Sequence, residues 1–180
     1  MQALGMLEFN SIPSGIEAGD AMLKAASVEI VNAQPVCAGK YIVMVSGEVA
    51  AVQSAISAGK EMAKDAVIDE ILIPNIHPQV PRATLNCADI GEVGALGIIE
   101  TFSLASAVLA ADAAVKSAEI ELIEIRLGRG LGGKSFVIFT GEVAAVEHAV
   151  KIACETRSDA MIARTAVIPS PHSELVKSIM

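Results

Sequence analysis

Tryptophan is absent from this chain of 180 residues, and aromatic side chains are only 3% of it. A core without large rings must be built from small aliphatic groups. Alanine alone contributes 30 residues, a composition that lets helices and strands approach closely. Positive charge is also scarce, with 13 basic residues against 21 acidic and a net charge of -8. That balance excludes nucleic-acid binding, which needs a clustered cationic face to displace counterions. It equally argues against a protein held on anionic lipid by basic residues. Cysteine occurs three times with no C-x-x-C pair, so one chain cannot ligate an iron–sulfur cluster alone. A disulfide is not expected in a cytosolic chain. Long apolar runs are missing too. The longest, such as Tyr41 to Val45, have the length of a strand, far short of the ~20 residues that cross a bilayer. The start, MQALGMLEFN, has no cationic region followed by an apolar run, so the expected compartment is the cytoplasm.

What is present is apolar. Mean hydropathy is +0.55 with 53% hydrophobic residues, too apolar and too weakly charged for disorder. High apolarity without a span implies that much surface is buried against other copies of the chain.

The sequence repeats itself. Ala3-Leu-Gly-Met-Leu-Glu8 returns as Ala95-Leu-Gly-Ile-Ile-Glu100, and Asp20-Ala-Met-Leu-Lys24 returns as Asp112-Ala-Ala-Val-Lys116, both at an offset of 92. Gly47-Glu-Val-Ala-Ala-Val52 returns unchanged as Gly141 to Val146, offset by 94. Ile73-Pro74-Asn75-Ile76-His77 returns as Ile168-Pro169-Ser170-Pro171-His172, offset by 95. Matches that keep one order and drift by so little mark a duplication. The expected domains are 1–80 and 94–180, joined by a linker over 81–93.

Each copy reads as β-α-β-β-α-β. In the first, alternation predicts a strand over 3–9, helical spacing of Ile12, Ile16 and Leu23 predicts a helix over 12–26, and β-branched runs predict strands over 28–36 and 40–46 around Ala38-Gly39. An alanine-rich helix over 48–64 and a strand over 67–73 complete it. The second copy predicts strands at 95–102, 120–127, 135–140 and 162–168 and helices at 104–117 and 142–156, with a short tail helix from Ser173. The fold class is α+β, two tandem ferredoxin-like units.

The strings ALGMLE, DAMLKAA, GEVAAV and the closing I-P-x-x-H, each in both halves, resemble the bacterial microcompartment (BMC) shell-domain family. The resemblance implies a tandem-domain shell protein. Such members form trimers whose six domains imitate a hexamer, and these tiles pack edge to edge with other shell proteins into a polyhedral shell around metabolic enzymes. It places the lysine of D-x-x-x-K, here Lys24 and Lys116, on the tile edge, where a long apolar stem suits a flat contact; a lysine on a solvated helix face is the plainer alternative. His77 and His172 are repeat equivalents expected to cap the last strand at that edge. The family often carries an arginine in the P-x-x-H corner, whereas Asn75 and Ser170 stand here, so one edge contact differs.

The resemblance also assigns the loop between the second and third strands of each copy to the central pore. In the first half it includes Val36, Cys37, Ala38 and Gly39; in the second, Gly130, Leu131 and Gly132. Three Cys37 thiolates gathered on a three-fold axis would ligate three irons of a [4Fe–4S] cluster. The chain is similar to the tandem T-type members of propanediol-utilising compartments, in which a pore-loop cysteine binds such a cluster. The implied role is electron transfer or cluster delivery across the shell, with encapsulated redox enzymes as partners. Backbone N–H groups at Ala38 and Gly39 are the expected donors to the sulfurs. A small pore-lining residue without metal is the alternative for Cys37, in a tile whose gated pore conducts small metabolites. A third possibility is a ligand-binding regulatory module of ferredoxin-like fold.

Other candidates carry less. Gly128-x-x-x-x-Gly133-Lys134-Ser135 matches the phosphate-loop pattern, but that motif needs a helix directly after its lysine, and β-like Ser135 to Thr140 follows instead. The glycines with Arg126 and Arg129 read better as a flexible cationic rim. Cys87 and Cys154 are expected in structural places. Glu48 and Glu142 begin helices, where a carboxylate meets the positive end. His77, His148 and His172 have no metal spacing. No catalytic set stands out, and no enzymatic activity is expected.

Overall fold

Two antiparallel four-stranded sheets carry the chain, one for each repeat, in a computed structural model that describes residues 3–88, 90–128, 130–156 and 161–179. The chain divides into two compact units, the first comprising 1–76 with 128–133 and the second 77–127 with 134–180.

In the first unit the order along the chain is β1 (Ala3–Phe9), α1 (Ile12–Ala25), β2 (Glu29–Val36), β3 (Lys40–Gly47), α2 (Val49–Ala63) and β4 (Val67–Ile73). The sheet order is β2-β3-β1-β4. β1 therefore lies inside the sheet, antiparallel to β3 and β4, and all seven of its residues are buried. Its alternation divides the side chains between two faces. Leu7 and Phe9 join Val43 and Val45 beneath Ala18 and Met22 of α1 and Val52, Ala55 and Ile56 of α2. Small residues let these helices sit low. A Cβ added at Gly59 would stand 2.7 Å from Leu7 Cδ1 and 2.8 Å from Met22 Cγ. α1 begins where Ser11, in extended conformation, accepts the Ser14 N–H at 3.4 Å, with Pro13 in its first turn.

The second unit repeats this with β5 (Ala95–Thr101), α4 (Leu104–Ser117), β6 (Ile120–Leu127), β7 (Ser135–Gly141), α5 (Val143–Glu155) and β8 (Ile162–Ile168), in the order β6-β7-β5-β8. The correspondence extends to irregularities. A register shift between Ile30 and Asn32 on β2 recurs between Leu122 and Glu124 on β6, and one after Glu8 recurs after Glu100. The Ser11 cap recurs as Ser103, which accepts the Ser106 N–H at 3.2 Å.

The strands and helices expected from the sequence are present, with ends shifted by a residue or two. One element was not anticipated. A helix, α3 (Gln79–Thr84), runs from the end of the expected first domain into the segment read as a linker; it buries Val80 and Ala83 and packs on β6. Gln79 Oε1 accepts the Leu122 N–H at 2.7 Å. Ile90 and Val93, together with Ile179 of the tail helix α6 (Ser173–Ile179), pack against Leu96, Ile123 and Ile138.

Candidate functional site

β2 and β3 turn tightly. Val36 pairs with Lys40, leaving Cys37, Ala38 and Gly39 as a three-residue loop. Ala38 has φ +59° and Gly39 φ +72°, both left-handed. Glycine adopts that region freely, whereas alanine there costs about 1–2 kcal/mol. Val36 is buried, Cys37 half-buried, and Ala38 and Gly39 are exposed.

The partner of this turn is the loop between β6 and β7, whose residues 128–133 belong to the same unit. The Cys37 N–H donates to the Gly128 carbonyl at 2.7 Å, and the Gly130 N–H donates to Cys37 Sγ at 2.8 Å. The two sequence-predicted loops are thus brought together on Cys37. The donor to the sulfur is Gly130 of the second loop rather than Ala38 or Gly39, for which no bond to the sulfur is present. Gly130 has φ +73°, and a Cβ there would meet nothing within 4 Å. Leu131 is half-buried and Gly132 exposed.

A charge pair that sequence reasoning missed lies next to the turn. Lys40 Nζ is 2.6 Å from Glu8 Oε1, with the Glu8 side chain wholly buried and that of Lys40 20% exposed. A Cβ at Gly133 would be 3.8 Å from the same Lys40 Nζ. Lys134 and Glu100 form the equivalent pair in the second unit at 3.2 Å, with side chains 42% and 39% exposed. The clue was available: Glu8 and Glu100 are the last letters of the first repeated string. Lys134 Nζ also stands 5.6 Å from the Phe102 ring centroid.

As the sequence indicates, the phosphate-loop pattern lacks its helix: strand β7 starts at Ser135, directly after the lysine. The cationic rim is corrected at Arg126. Its Nε is 2.6 Å from Glu124 Oε1 and its guanidinium lies 5.0 Å from the Phe136 ring centroid, so its charge is neutralised locally. Arg129 lies outside the described residues.

The edge candidates sit elsewhere. Lys24 is exposed and pairs with Asp20 at 2.6 Å, one helical turn back. Lys116 makes the same pair with Asp112 at 2.5 Å, and Asp112 also accepts the His77 N–H at 2.9 Å. The histidines cap the following helices rather than the preceding strands. His77 Nδ1 accepts the Gln79 N–H at 3.4 Å at the start of α3, and His172 Nδ1 accepts the Glu174 N–H at 3.2 Å in α6. A helix start has unpaired N–H groups, and a ring nitrogen two residues before accepts one of them. Glu48 and Glu142 stand at the N-caps of α2 and α5 without a side-chain capping bond. Cys87 is exposed, and Cys154 is half-buried on α5 with its thiol pushed up by burial and, secondarily, by Glu155.

Cys37 suits an iron–sulfur group in two respects: it is a free thiol at a loop tip, and its sulfur already receives a backbone N–H. Among the described residues no set of three or more His, Cys, Asp and Glu is placed to hold a metal ion. One chain therefore offers one ligand, and a cluster needs Cys37 from further copies.

Known proteins identify the architecture. A family model described as the BMC domain matches residues 3–76 and again 95–171. The chain belongs to the BMC-domain family. Across 180 residues this BMC protein is 38% identical to the bacterial microcompartment shell protein PduT of Citrobacter freundii, an alignment covering 99% of this chain and 98% of that one. A solved structure of a microcompartment protein from Desulfitobacterium hafniense shares 52% identity and superposes with a TM-score of 0.92, covering 98% of this chain and 99% of that one. The carboxysome shell protein CcmK2 of Synechococcus elongatus is 40% identical over 74 residues, 41% of this chain and 72% of that protein. These tandem BMC domains make the chain a structural shell protein of a bacterial microcompartment, a role without enzymatic chemistry. No helix among the described residues is long and apolar enough to cross a membrane.

Proposed function

We propose that the chain is a homotrimeric, pseudo-hexameric tile in which Cys37 from three subunits holds a [4Fe–4S] cluster at the axis, for electron transfer or cluster delivery across the shell. When bound, such a cluster supplies a one-electron redox centre on the path through the tile. Cys37 provides the thiolate ligand, and Gly39 lets the turn present it. The Lys40–Glu8 pair anchors the first residue of β3 behind it. Lys24, Lys116, His77 and His172 are assigned to the tile edge, where other shell proteins abut, and encapsulated redox enzymes are the expected electron partners.

The observation that carries this reading is the environment of Cys37 Sγ. It sits at the tip of a tight hairpin, half-buried, with the Gly130 N–H directed at it from 2.8 Å. An incidental pore-lining residue needs no such donor.

Anaerobic purification followed by a spectrum and an iron count tests it. The expected product is brown, absorbs at about 400 nm and holds about four irons per three chains. Cys37→Ser should be colourless yet still assemble into sheets. An iron-free protein that forms the same sheets refutes the cluster and leaves a tile whose pore passes small metabolites. Discrete oligomers that never form sheets refute the tile.

A further inference from the structure

The glycine-rich loop between β6 and β7 has not been used up by the shell role. Its pattern is not that of a flexible rim. Gly128 and Gly130 each bond to Cys37, one through its carbonyl and one through its N–H, and Gly133 approaches the ammonium of Lys40. Two hydrogen bonds, both to Cys37, tie the loop to the first turn. Gly130 holds φ +73°, so the N–H reaches the sulfur only in a left-handed conformation that glycine adopts without strain.

We propose that Gly130 is a positioning residue for Cys37: its backbone N–H fixes the sulfur and, once a cluster is held, sets the reduction potential by placing one hydrogen bond on each ligating sulfur. This rests on the cluster reading above. A donor on sulfur stabilises added negative charge, so it favours the reduced cluster and raises the potential. The residue that tunes the site is thus supplied by the repeat whose own loop carries no cysteine.

The test uses the full-length protein and two substitutions at one position. Glycolic acid in place of Gly130 exchanges the N–H for an ester oxygen and adds no side chain. Gly130→Ala keeps the N–H and its Cβ meets open space, at the backbone cost that alanine carries in the left-handed region, here φ +73°. In iron-free protein, amide hydrogen exchange at Gly130 should be slow and should accelerate about tenfold or more in Cys37→Ala, with distant amides unchanged. Equal exchange in the two proteins overturns the proposal. After anaerobic reconstitution with iron and sulfide, the ester variant should show about a tenfold weaker reduction equilibrium, about 59 mV more negative for a one-electron couple. Gly130→Ala should remain close to the parent protein. An unchanged potential in the ester variant overturns the tuning role, whereas loss of iron from that variant alone supports positioning. A parent protein that takes up no iron overturns the cluster reading and the tuning with it, and the exchange result still decides whether Gly130 positions the sulfur.

Discussion

Replacing Lys40 by methionine isolates the contribution of one buried charge pair, and the duplication supplies its control. Glu8 is wholly buried with the Lys40 ammonium 2.6 Å away, so Lys40→Met removes the cation that stands beside an interior carboxylate. Breaking a buried pair in this way costs about 3–5 kcal/mol. Because the Lys40 side chain is 20% exposed, water can take part of the ammonium's place, which puts the loss at about 3 kcal/mol. Lys134→Met breaks the equivalent pair, but its side chains are 42% and 39% exposed and 3.2 Å apart. An exposed pair contributes about 0–1 kcal/mol, and the Phe102 ring adds about 0.5 kcal/mol. In a chain of this size, each kcal/mol moves Tm by about 2–4 °C. Lys40→Met should therefore lower Tm by about 6–12 °C and Lys134→Met by no more than about 6 °C. Thermal and urea unfolding at one fixed chain concentration measure this, since association with other copies raises apparent stability. The double change Glu8→Leu with Lys40→Met removes both charges and should regain most of the loss, because apolar replacement of a buried pair is close to neutral. Equal losses from Lys40→Met and Lys134→Met would refute the reasoning. So would a double variant weaker than Lys40→Met alone.

Packing and thiol reactivity give further checks. Gly59→Ala puts a methyl 2.7 Å from Leu7 Cδ1 and 2.8 Å from Met22 Cγ. Overpacking of about 1–3 kcal/mol outweighs the helix-propensity gain of about 1 kcal/mol, so a net loss of about 1 kcal/mol is expected in urea unfolding; a stabilised variant would show that α2 can lift away freely. Burial and Glu155 raise the Cys154 thiol, so less of it is thiolate at pH 8 than in an ordinary cysteine. Iodoacetamide should then modify exposed Cys87 before Cys154, with Cys154 labelling climbing as pH rises, as followed by peptide mass spectrometry; Cys154 reacting first contradicts the assignment.

The fold was legible because its signals are local and occur twice. Alternation in Ala3 to Phe9, the helical spacing of Ile12, Ile16 and Leu23 and the alanine-rich stretch after Glu48 each specify an element within a few residues. α3 escaped because six residues opening after Pro78 have little periodicity and hold their place through tertiary contacts, such as Gln79 with the Leu122 N–H. The site was only half legible. Cys37 and both loops could be singled out by type and repeat position, but the donor to its sulfur lies 93 residues away. Nothing in the local string around Cys37 encodes that partner. Glu8 was hidden for a different reason. A carboxylate on a central strand looks like one polar step in an alternating pattern, and only the burial of that face reveals that it needs Lys40.

The register of the duplication locates where the halves parted. The offset is 92 through the bulge shared by Asn32 and Glu124, and 94 from Lys40 and Lys134 into the following helix, where Val52 matches Val146. Both extra residues therefore fall inside the second loop, and the strands on either side keep their pairing. A hairpin of three residues cannot reach far from its own strands. Two added residues, with positive φ at Gly128, Gly130, Gly132 and Gly133, give the second loop the length and backbone freedom to lie against Cys37 and turn a carbonyl and an N–H toward it. Duplication separates the tasks, one half supplying the reactive side chain and the other the backbone that holds it.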